Sequence, residues 1–443
     1  MNTKKGYKLV PWLFGKEIEI PEEWDNVIII NSGIKVLDGD RGNEYPKESD
    51  FSDTGYCLFL SAKNVTKMGF LFTECLFISK EKDQQLRKGC VSIGDIIITT
   101  RGTVGNIGYF DHSVPYKNIR INSGMAILQN ETDSILQDYF YHLLKSPIIV
   151  KQLRRLQFGS AQPQLTIGTI NQLNILVPLL PEQQKIASIL SNIDSLIDST
   201  SKIIKNSKSL KTGLMQKLLT RGIGHTKFKK VNFHFGIILK IPEEWKVGKL
   251  KEFILKIGSG VTPKGGSSVY LPKGIPLIRS QNVHFEGLSL DNVAFISKEI
   301  HNDMKNTKLI DNDVLLNITG ASIGRCTYVP TNFGEGNVNQ HVCIIRTKSV
   351  LFHTFLSYFL SSNLLQNIIQ SSQAGLSREG LNFKEIGDFI FPLPPLPEQQ
   401  KIASILSNID AQIDSQTQYK DKLERLKKSL MQKLLTGEVR VAI

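Results

Sequence analysis

The longest regular pattern of apolar positions in this chain runs through residues 181–221 and returns through residues 396–437. In the first stretch Ile186, Ile189, Ile193, Leu196, Ile203, Leu210 and Leu214 follow alternating steps of three and four once Thr200 and Ser207 fill the gaps. That is the seam of a coiled-coil helix, which Leu190, Ile197, Ile204 and Leu218 widen. Pro181 suits a first helical position, Glu182 suits the positive end of the helix dipole, and Gly222 suits the end. The second stretch carries Ile402, Ile405, Ile409, Tyr419, Leu423, Leu426 and Leu430, with Leu406 and Ile413 beside them and Gln412 and Gln416 in the gaps. Each helix of about 40 residues would be ~60 Å long at 1.5 Å per residue. A compact domain cannot cover a stripe of that length, so pairing of the two helices is expected. Packing of each on its own domain is the alternative.

Elsewhere the pattern is that of short strands. Val27–Ile30, Ile96–Thr99, Val314–Leu316 and Val342–Ile345 are β-branched or aliphatic runs bounded by Gly, Asp and Asn. Tyr139–Leu144 and Phe352–Leu360 have helical character, each late in its segment. The expected fold class is mixed α/β (α+β). The expected order is a first domain over 1–180, a helix over 181–221 and a linker over 222–238. A second domain over 239–395 and a helix over 396–437 follow.

The two halves are copies. LPEQQKIASILSNID at 180–194 recurs unchanged at 396–410, an offset of 396 − 180 = 216, and LMQKLLT at 214–220 recurs at 430–436. IPEEW at 20–24 returns at 241–245, an offset of 221, and Asn122 falls opposite Asn339 at 217. A period this long is a duplicated domain plus helix, not a solenoid. The helices are nearly identical at their two ends, whereas the domains have diverged. This is expected if both helices bind the same partner and each domain reads something different.

Composition sharpens the picture. The 443 residues carry a net charge of +13 and a pI near 9.3, which favours a polyanionic partner. No run reaches the roughly 18 apolar residues of a membrane span. Lys4-Lys5 lack a following apolar stretch, so no signal peptide and no membrane partner are expected, and the expected location is cytoplasmic. Cys57, Cys75, Cys90, Cys326 and Cys343 show no CxxC spacing and read as reduced core residues.

The polar loops recur in order in both halves. The second half has GSGVTPKGG (258–266), IRSQNV (278–283), NITGASIGR (317–325) and NVNQH (337–341); the first has DGDRG (38–42), LSAKNV (60–65), TTRGTVG (99–105) and NIRINSG (118–124). Arg, Lys, Asn and Gln on glycine-containing loops suit phosphate contacts and bidentate reading of base edges, although solvated loops share that composition.

No catalytic motif survives inspection. Gly320–Gly324 matches the G-x-S-x-G elbow, but Cys326–Val329 reads as strand where a helix is required after Ser322. Residues 260–267 lack the Gly-Lys pair of a phosphate-binding P-loop. Asp95 and Asp313 precede strands without the acidic and lysine partners of a nuclease, and the eight histidines have no metal-ligand spacing.

LPEQQKIA opening a long helix, present twice, together with GSGVTPKGG, GIPLIRSQNV and LLNITGASIGR, resembles the specificity (S) subunits of type I restriction–modification enzymes. The resemblance spans nearly the whole chain. It implies two target-recognition domains separated by two long helices in an antiparallel coiled coil, with a pseudo-twofold internal repeat. It further implies a non-catalytic subunit whose domains each read half of a split, asymmetric target in double-stranded DNA. The helices would dock two methyltransferase (modification) subunits, to which restriction subunits attach, and S-adenosylmethionine and ATP would bind on those partners. Carried over by position, the DNA-contact candidates are Lys264, Arg279, Gln281, Asn282, Arg325, Asn339 and Gln340 in the second domain. In the first domain they are Arg41, Lys63, Asn64, Arg101, Arg120 and Asn122. A basic coiled-coil scaffold without DNA specificity is the rival reading, and an enzyme acting through Ser322 or Asp313 is another.

Overall fold

The computed structural model describes residues 3–12, 16–156, 164–373 and 380–442. The chain divides into two compact units, Met1–Thr200 with Tyr419–Ile443 and Ser201–Gln418. Each unit therefore contains one end of each long helix.

In the first unit, strands β1 (Ile34–Asp38), β2 (Cys57–Leu60), β3 (Ile96–Thr99), β4 (Ile119–Ile121) and β5 (Met125–Asn130) form the frame. An antiparallel sheet runs in the order Ile107–Tyr109, β3, β5, β1, and a mixed sheet in the order Phe77–Ile78, β2, β4, Cys90–Val91. Ile96 and Ile98 join a core with helix α1 (Gln137–Leu144), whereas Ile97 joins a second core with β2 and β4. Strand β3 is thus buried on both faces, which is why it is an unbroken apolar run, whereas the edge strand β1 alternates. Strand Asp25–Ile28 pairs with Asn174–Val177 and closes the unit just before the first long helix, α2 (Leu180–Arg221).

The second unit repeats this plan. Strands β6 (Ile254–Ser259), β7 (Ile275–Ile278), β8 (Val314–Asn317), β9 (Asn337–Val338) and β10 (Val342–Thr347) take the same places. The antiparallel sheet is ordered β6, β10, β8, Cys326–Tyr328, and the mixed sheet Ala294–Ile296, β7, β9. Helix α3 (His353–Leu360) covers the face carrying Val314 and Leu316, and Leu315 faces the other core. Strand Lys246–Lys249 pairs with Ile390–Leu393 ahead of the second long helix, α4 (Leu396–Leu434). The segment read as a linker over 222–238 holds a strand, Phe228–Asn232, paired with Ile238–Pro242. The run Phe228, Lys229, Lys230 and Val231 lacks apolar–polar alternation, so nothing marks it as a strand without its partner.

Within each unit the long helices run antiparallel. In the first, Ile186, Ala187 and Leu190 of α2 share a core with Met431, Leu434 and Leu435 of α4. Lys427 pairs with Asp194 at 2.5 Å. In the second, Leu218 and Leu219 meet Ile402 and Leu406, and Lys211 pairs with Asp410 at 2.6 Å. The seam expected from the sequence is corrected in its phase. Ile186, Ile193, Ile402 and Leu423 are buried, and Ile189, Leu214, Ile405, Ile409 and Leu430 half-buried. Leu196, Ile203, Leu210, Tyr419 and Leu426, however, lie 44–56% exposed. The buried row passes instead through Leu190, Ile197, Leu406 and Ile413. The stripe is wide enough for two rows of knobs, and the partner helix covers only one of them.

The repeated residues hold each unit to its helices. Gln183 accepts from the Leu136 amide at 2.8 Å and donates to the Ser134 and Pro178 carbonyls. Gln399 repeats this with Phe352, Val350 and Pro394. Glu182 and Glu398 accept from the indoles of Trp24 and Trp245, the last residues of the two IPEEW segments. Gly222 takes φ +62° to end α2, and a Cβ there would collide with Glu398 and Trp245.

Candidate nucleic-acid interface

In the second unit β7 and β9 run parallel with Ile278 opposite Val338, so their carboxyl ends deliver Arg279 and Asn339 side by side. The Asn339 amide donates to the Ile278 carbonyl at 3.0 Å, and the Gly260 amide to the Asn339 carbonyl at 3.1 Å. A Cβ on Gly260 would strike the Val338 carbonyl, so only glycine lets the first loop lie against this strand. The Asn317 side-chain amide donates to the Ser280 carbonyl at 2.8 Å, and the Ile318 amide to the His341 carbonyl at 3.0 Å. Loops 258–266, 278–283, 317–325 and 337–341 therefore form one cluster.

The first unit builds the same cluster. Strands β2 and β4 are parallel, with Leu60 opposite Ile121, and the Asn122 amide donates to the Leu60 carbonyl at 3.1 Å. The Thr100 amide donates to the Gly124 carbonyl at 2.7 Å, and Arg41 reaches the Ser123 carbonyl at 3.2 Å. Asp40 fixes the first loop by accepting from the amides of Gly42 and Arg87, each at 2.7 Å. The Gly42 amide bond is the chief cause of its lowered pKa. At the root of the third loop, Thr100 lies one position beyond Thr99, the counterpart of Asn317. Thr100 and Asn317 each keep a buried side-chain oxygen with no hydrogen-bond partner among the described residues.

The candidate residues divide by what they touch. Asn64 and Asn282 are buried: each accepts from the backbone three residues before it and donates to carbonyls of the following segment. Arg120 is buried on β4, donating to Asp83 at 2.5 Å and to the Lys88 and Asp83 carbonyls. Asn122 and Asn339 accept from the amides of Gly124 and His341 and shape their own turns. These five side chains serve the loop frame. Sequence reasoning assigned them to DNA because a polar residue on a loop looks the same whether it faces solvent or its own backbone.

The others stand at the surface. Arg41, Lys63, Arg101, Lys264, Gln281 and Gln340 are exposed, and Arg279 and Arg325 half-buried. Arg41 pairs with Asp38 at 3.1 Å, and Lys63 with Glu74 at 3.4 Å. Both pairs are exposed and weak, so they orient the cations without neutralising the surface field. Arg279 donates to the Asn292 carbonyl at 3.0 Å, and its guanidinium lies 5.6 Å from the centre of the Tyr270 ring. Residues that sequence reasoning passed over also belong here, namely Tyr270, Thr262, Thr319 and His341. Their link is contact between loops far apart in sequence. Thr262, Thr319 and His341 lie within the polar loops legible in the sequence, whereas Tyr270 lies outside them.

The rejected catalytic candidates are accounted for. Asp313 is buried and accepts from Arg346 at 2.7 and 2.8 Å and from the Ile310 amide at 3.0 Å. Asp95 accepts from the Ser92 amide at 2.7 Å, and burial raises its pKa. Ser322 ends a 3-10 turn followed by strand Cys326–Tyr328. Of the cysteines, Cys57, Cys326 and Cys343 are buried, whereas Cys90 is exposed. No helix among the described residues is long and apolar enough to cross a membrane.

Two polar loop clusters on a duplicated strand frame, each anchored to the same helix pair, define a protein with two equivalent recognition units. Comparison with known proteins gives the family. Residues 22–207 and 242–425 match the model of the type I restriction modification DNA specificity domain, and the chain belongs to that family. It is 27% identical over 441 residues to the putative type I restriction enzyme MjaX specificity subunit of Methanocaldococcus jannaschii, covering 96% of this chain and 95% of that one. It is 27% identical over 337 residues to the EcoBI specificity subunit of Escherichia coli, covering 72% and 69%. Among solved structures, the type I S subunit from M. genitalium superposes with a TM-score of 0.59 at 16% identity, over 93% of this chain and 96% of that one. A chain from a study of the assembly and conformational transition of a type I system gives 0.55 at 18%, over 95% and 99%. The chain is thus a DNA specificity subunit of the type I restriction–modification class, with two recognition domains.

Proposed function

We propose that each unit reads one half of a split, asymmetric DNA sequence through its loop cluster, and that the chain performs no chemistry itself. The observation that carries this is the doubled cluster: one backbone frame of four tied loops presents different side chains in each copy. Arg101 stands on the third loop of the first unit and Arg325 on that of the second. Arg41 stands on the first loop of one, and Thr262 and Lys264 on that of the other. A shared frame with exchanged surface residues is what two readings by one domain type require. The surplus of basic residues supplies phosphate attraction independent of sequence.

Methylation and cleavage are assigned to partner subunits that bind S-adenosylmethionine and ATP, and the complex acts in the cytoplasm on double-stranded DNA. The exposed row of the long helices supports docking of two methyltransferase subunits. Leu196, Ile203 and Leu210 recur every seven residues on α2, as do Tyr419 and Leu426 on α4, and all five are open to solvent. An exposed apolar row at heptad spacing fits a helix of a partner protein. The test is the methylome of a host lacking other methylation that expresses this chain with its modification subunit. One bipartite methylated motif is expected, and none in an assembled, active complex would overturn the proposal. An assembled complex whose methylation is indifferent to Arg101→Ala and Arg279→Ala would favour the scaffold reading.

A further inference from the structure

Gln340 is exposed at the apex of the 337–341 loop, and three neighbours fix how its amide is turned. Its Oε1 accepts from the Thr262 hydroxyl. Its Nε2 lies 3.0 Å from His341 Nε2, and His341 Nδ1 lies 2.6 Å from Thr319 Oγ1. The proton positions follow from the inventory of donors and acceptors. An amide nitrogen only donates, so His341 Nε2 is the acceptor. The imidazole proton then sits on Nδ1 and goes to Thr319 Oγ1. Thr262 and His341 thus hold the two ends of the amide, and with the imidazole proton on Nδ1 reversing it would set the amide oxygen against the unprotonated Nε2, acceptor against acceptor. One N–H and one oxygen lone pair of Gln340 remain unused on an exposed amide.

That free donor–acceptor pair matches the N7 acceptor and N6 donor of adenine in the major groove. The first unit has the same frame but another occupant. Ser123 and Gly124 replace Gln340 and His341 at the offset of 217, and Arg101 replaces Thr319 at 218. There the Arg41 guanidinium of the first loop reaches the Ser123 carbonyl instead. One junction between the first and fourth loops therefore carries an amide in one unit and a guanidinium in the other.

Resting on the half-site reading proposed above, we infer that Gln340 reads an adenine in the half-site of the second unit and that His341 is the positioning residue that holds its amide in the reading orientation. The test is the methylome of the full complex carrying substitutions at these two positions. Gln340→Ala makes one A·T pair of one half-site degenerate. Discrimination there falls roughly 10- to 100-fold, the loss expected for one bidentate pair, while every other position stays fixed. His341→Leu loosens the same pair, and His341→Gln, which can still accept from the amide, restores it; a residue that only supported the fold would weaken all positions together. The assignment is overturned if Gln340→Ala leaves the motif unchanged, if the loosened pair is G·C, or if methylation is lost at all positions from an assembled complex. It is overturned equally if His341→Leu changes a different pair. A wild-type complex that methylates no split sequence overturns the half-site reading itself, which separates the two failures.

Discussion

The indole of Trp24 donates to the buried carboxylate of Glu182 at 2.9 Å, and Trp245 does the same to Glu398 at 3.0 Å. The two most recognisable repeats, IPEEW and LPEQQ, are thus the two halves of one contact, made once in each unit. The identity of the helix repeat has a cause besides a shared external partner. Glu182, Gln183, Ser191 and Asp194, like Glu398, Gln399, Ser407 and Asp410, bond to the unit seated beside them.

The Trp24–Glu182 contact predicts the cost of breaking it. Glu182 also accepts from Arg440 at 2.7 and 3.0 Å, and Arg440 is about one-third exposed with Glu23 nearby. In Glu182→Gln the arginine regains water and a partner, so the loss falls short of that for a fully buried pair. A destabilisation of about 2–3 kcal/mol is expected, or roughly 4–12 °C in Tm. Differential scanning calorimetry checks it, and an unchanged transition would remove the contact from the anchoring of this unit.

His142 predicts a pH dependence confined to the first unit. Its Nε2 lies 2.9 Å from Ser191 Oγ, and burial lowers its pKa from 6.5 to about 4 against the opposing pull of Asp194. Between those values the unfolded chain binds a proton that the folded chain does not. Stability is therefore full above pH 6.5 and falls as pH drops towards 4, by about 3 kcal/mol over the whole window. In the second unit Tyr358 takes this place and donates to Asp410 at 2.7 Å. His142→Tyr should flatten the fall between pH 7 and 4.5 in denaturant titrations, and an identical slope in the two proteins would refute the assignment.

Loop cations predict two kinds of loss. Arg279→Ala or Arg101→Ala should cost about 1–3 kcal/mol on the recognised sequence if the side chain touches a base edge, and relax one position. Lys264→Ala, at an exposed point charge, should weaken all sequences alike and lower the slope of log K against log salt by about 1. Fluorescence anisotropy of the assembled complex over a salt series separates the two behaviours.

The exposed helix row predicts a defect in assembly without a defect in folding. Ile203 and Leu210 are 44% and 56% exposed, so Ile203→Glu with Leu210→Glu should leave stability within about 0.5 kcal/mol per site. Co-purification of the modification subunit should be lost. Retention of that subunit at wild-type stoichiometry would place its docking surface elsewhere.

The sequence by itself determined the duplication, the two long helices, the central strands at Ile96–Thr99, Val314–Leu316 and Val342–Ile345, and the four loops of each cluster. These are local or periodic properties: a heptad stripe, apolar runs and glycine-bounded polar segments are visible in one dimension. Only the tertiary structure decided which apolar row is covered, because Ile189 and Leu190, or Leu196 and Ile197, are equally apolar until a partner helix buries one of them. Only it separated Asn282 and Arg120, whose polar atoms are taken by their own backbone and by Asp83, from Gln281 and Arg101, which face solvent. Only it joined His341 to Thr319 and Gln340 to Thr262, 78 residues apart in the last case. A hydrogen bond between loops depends on where the strands beneath them end, and that follows from sheet pairing that no local pattern encodes.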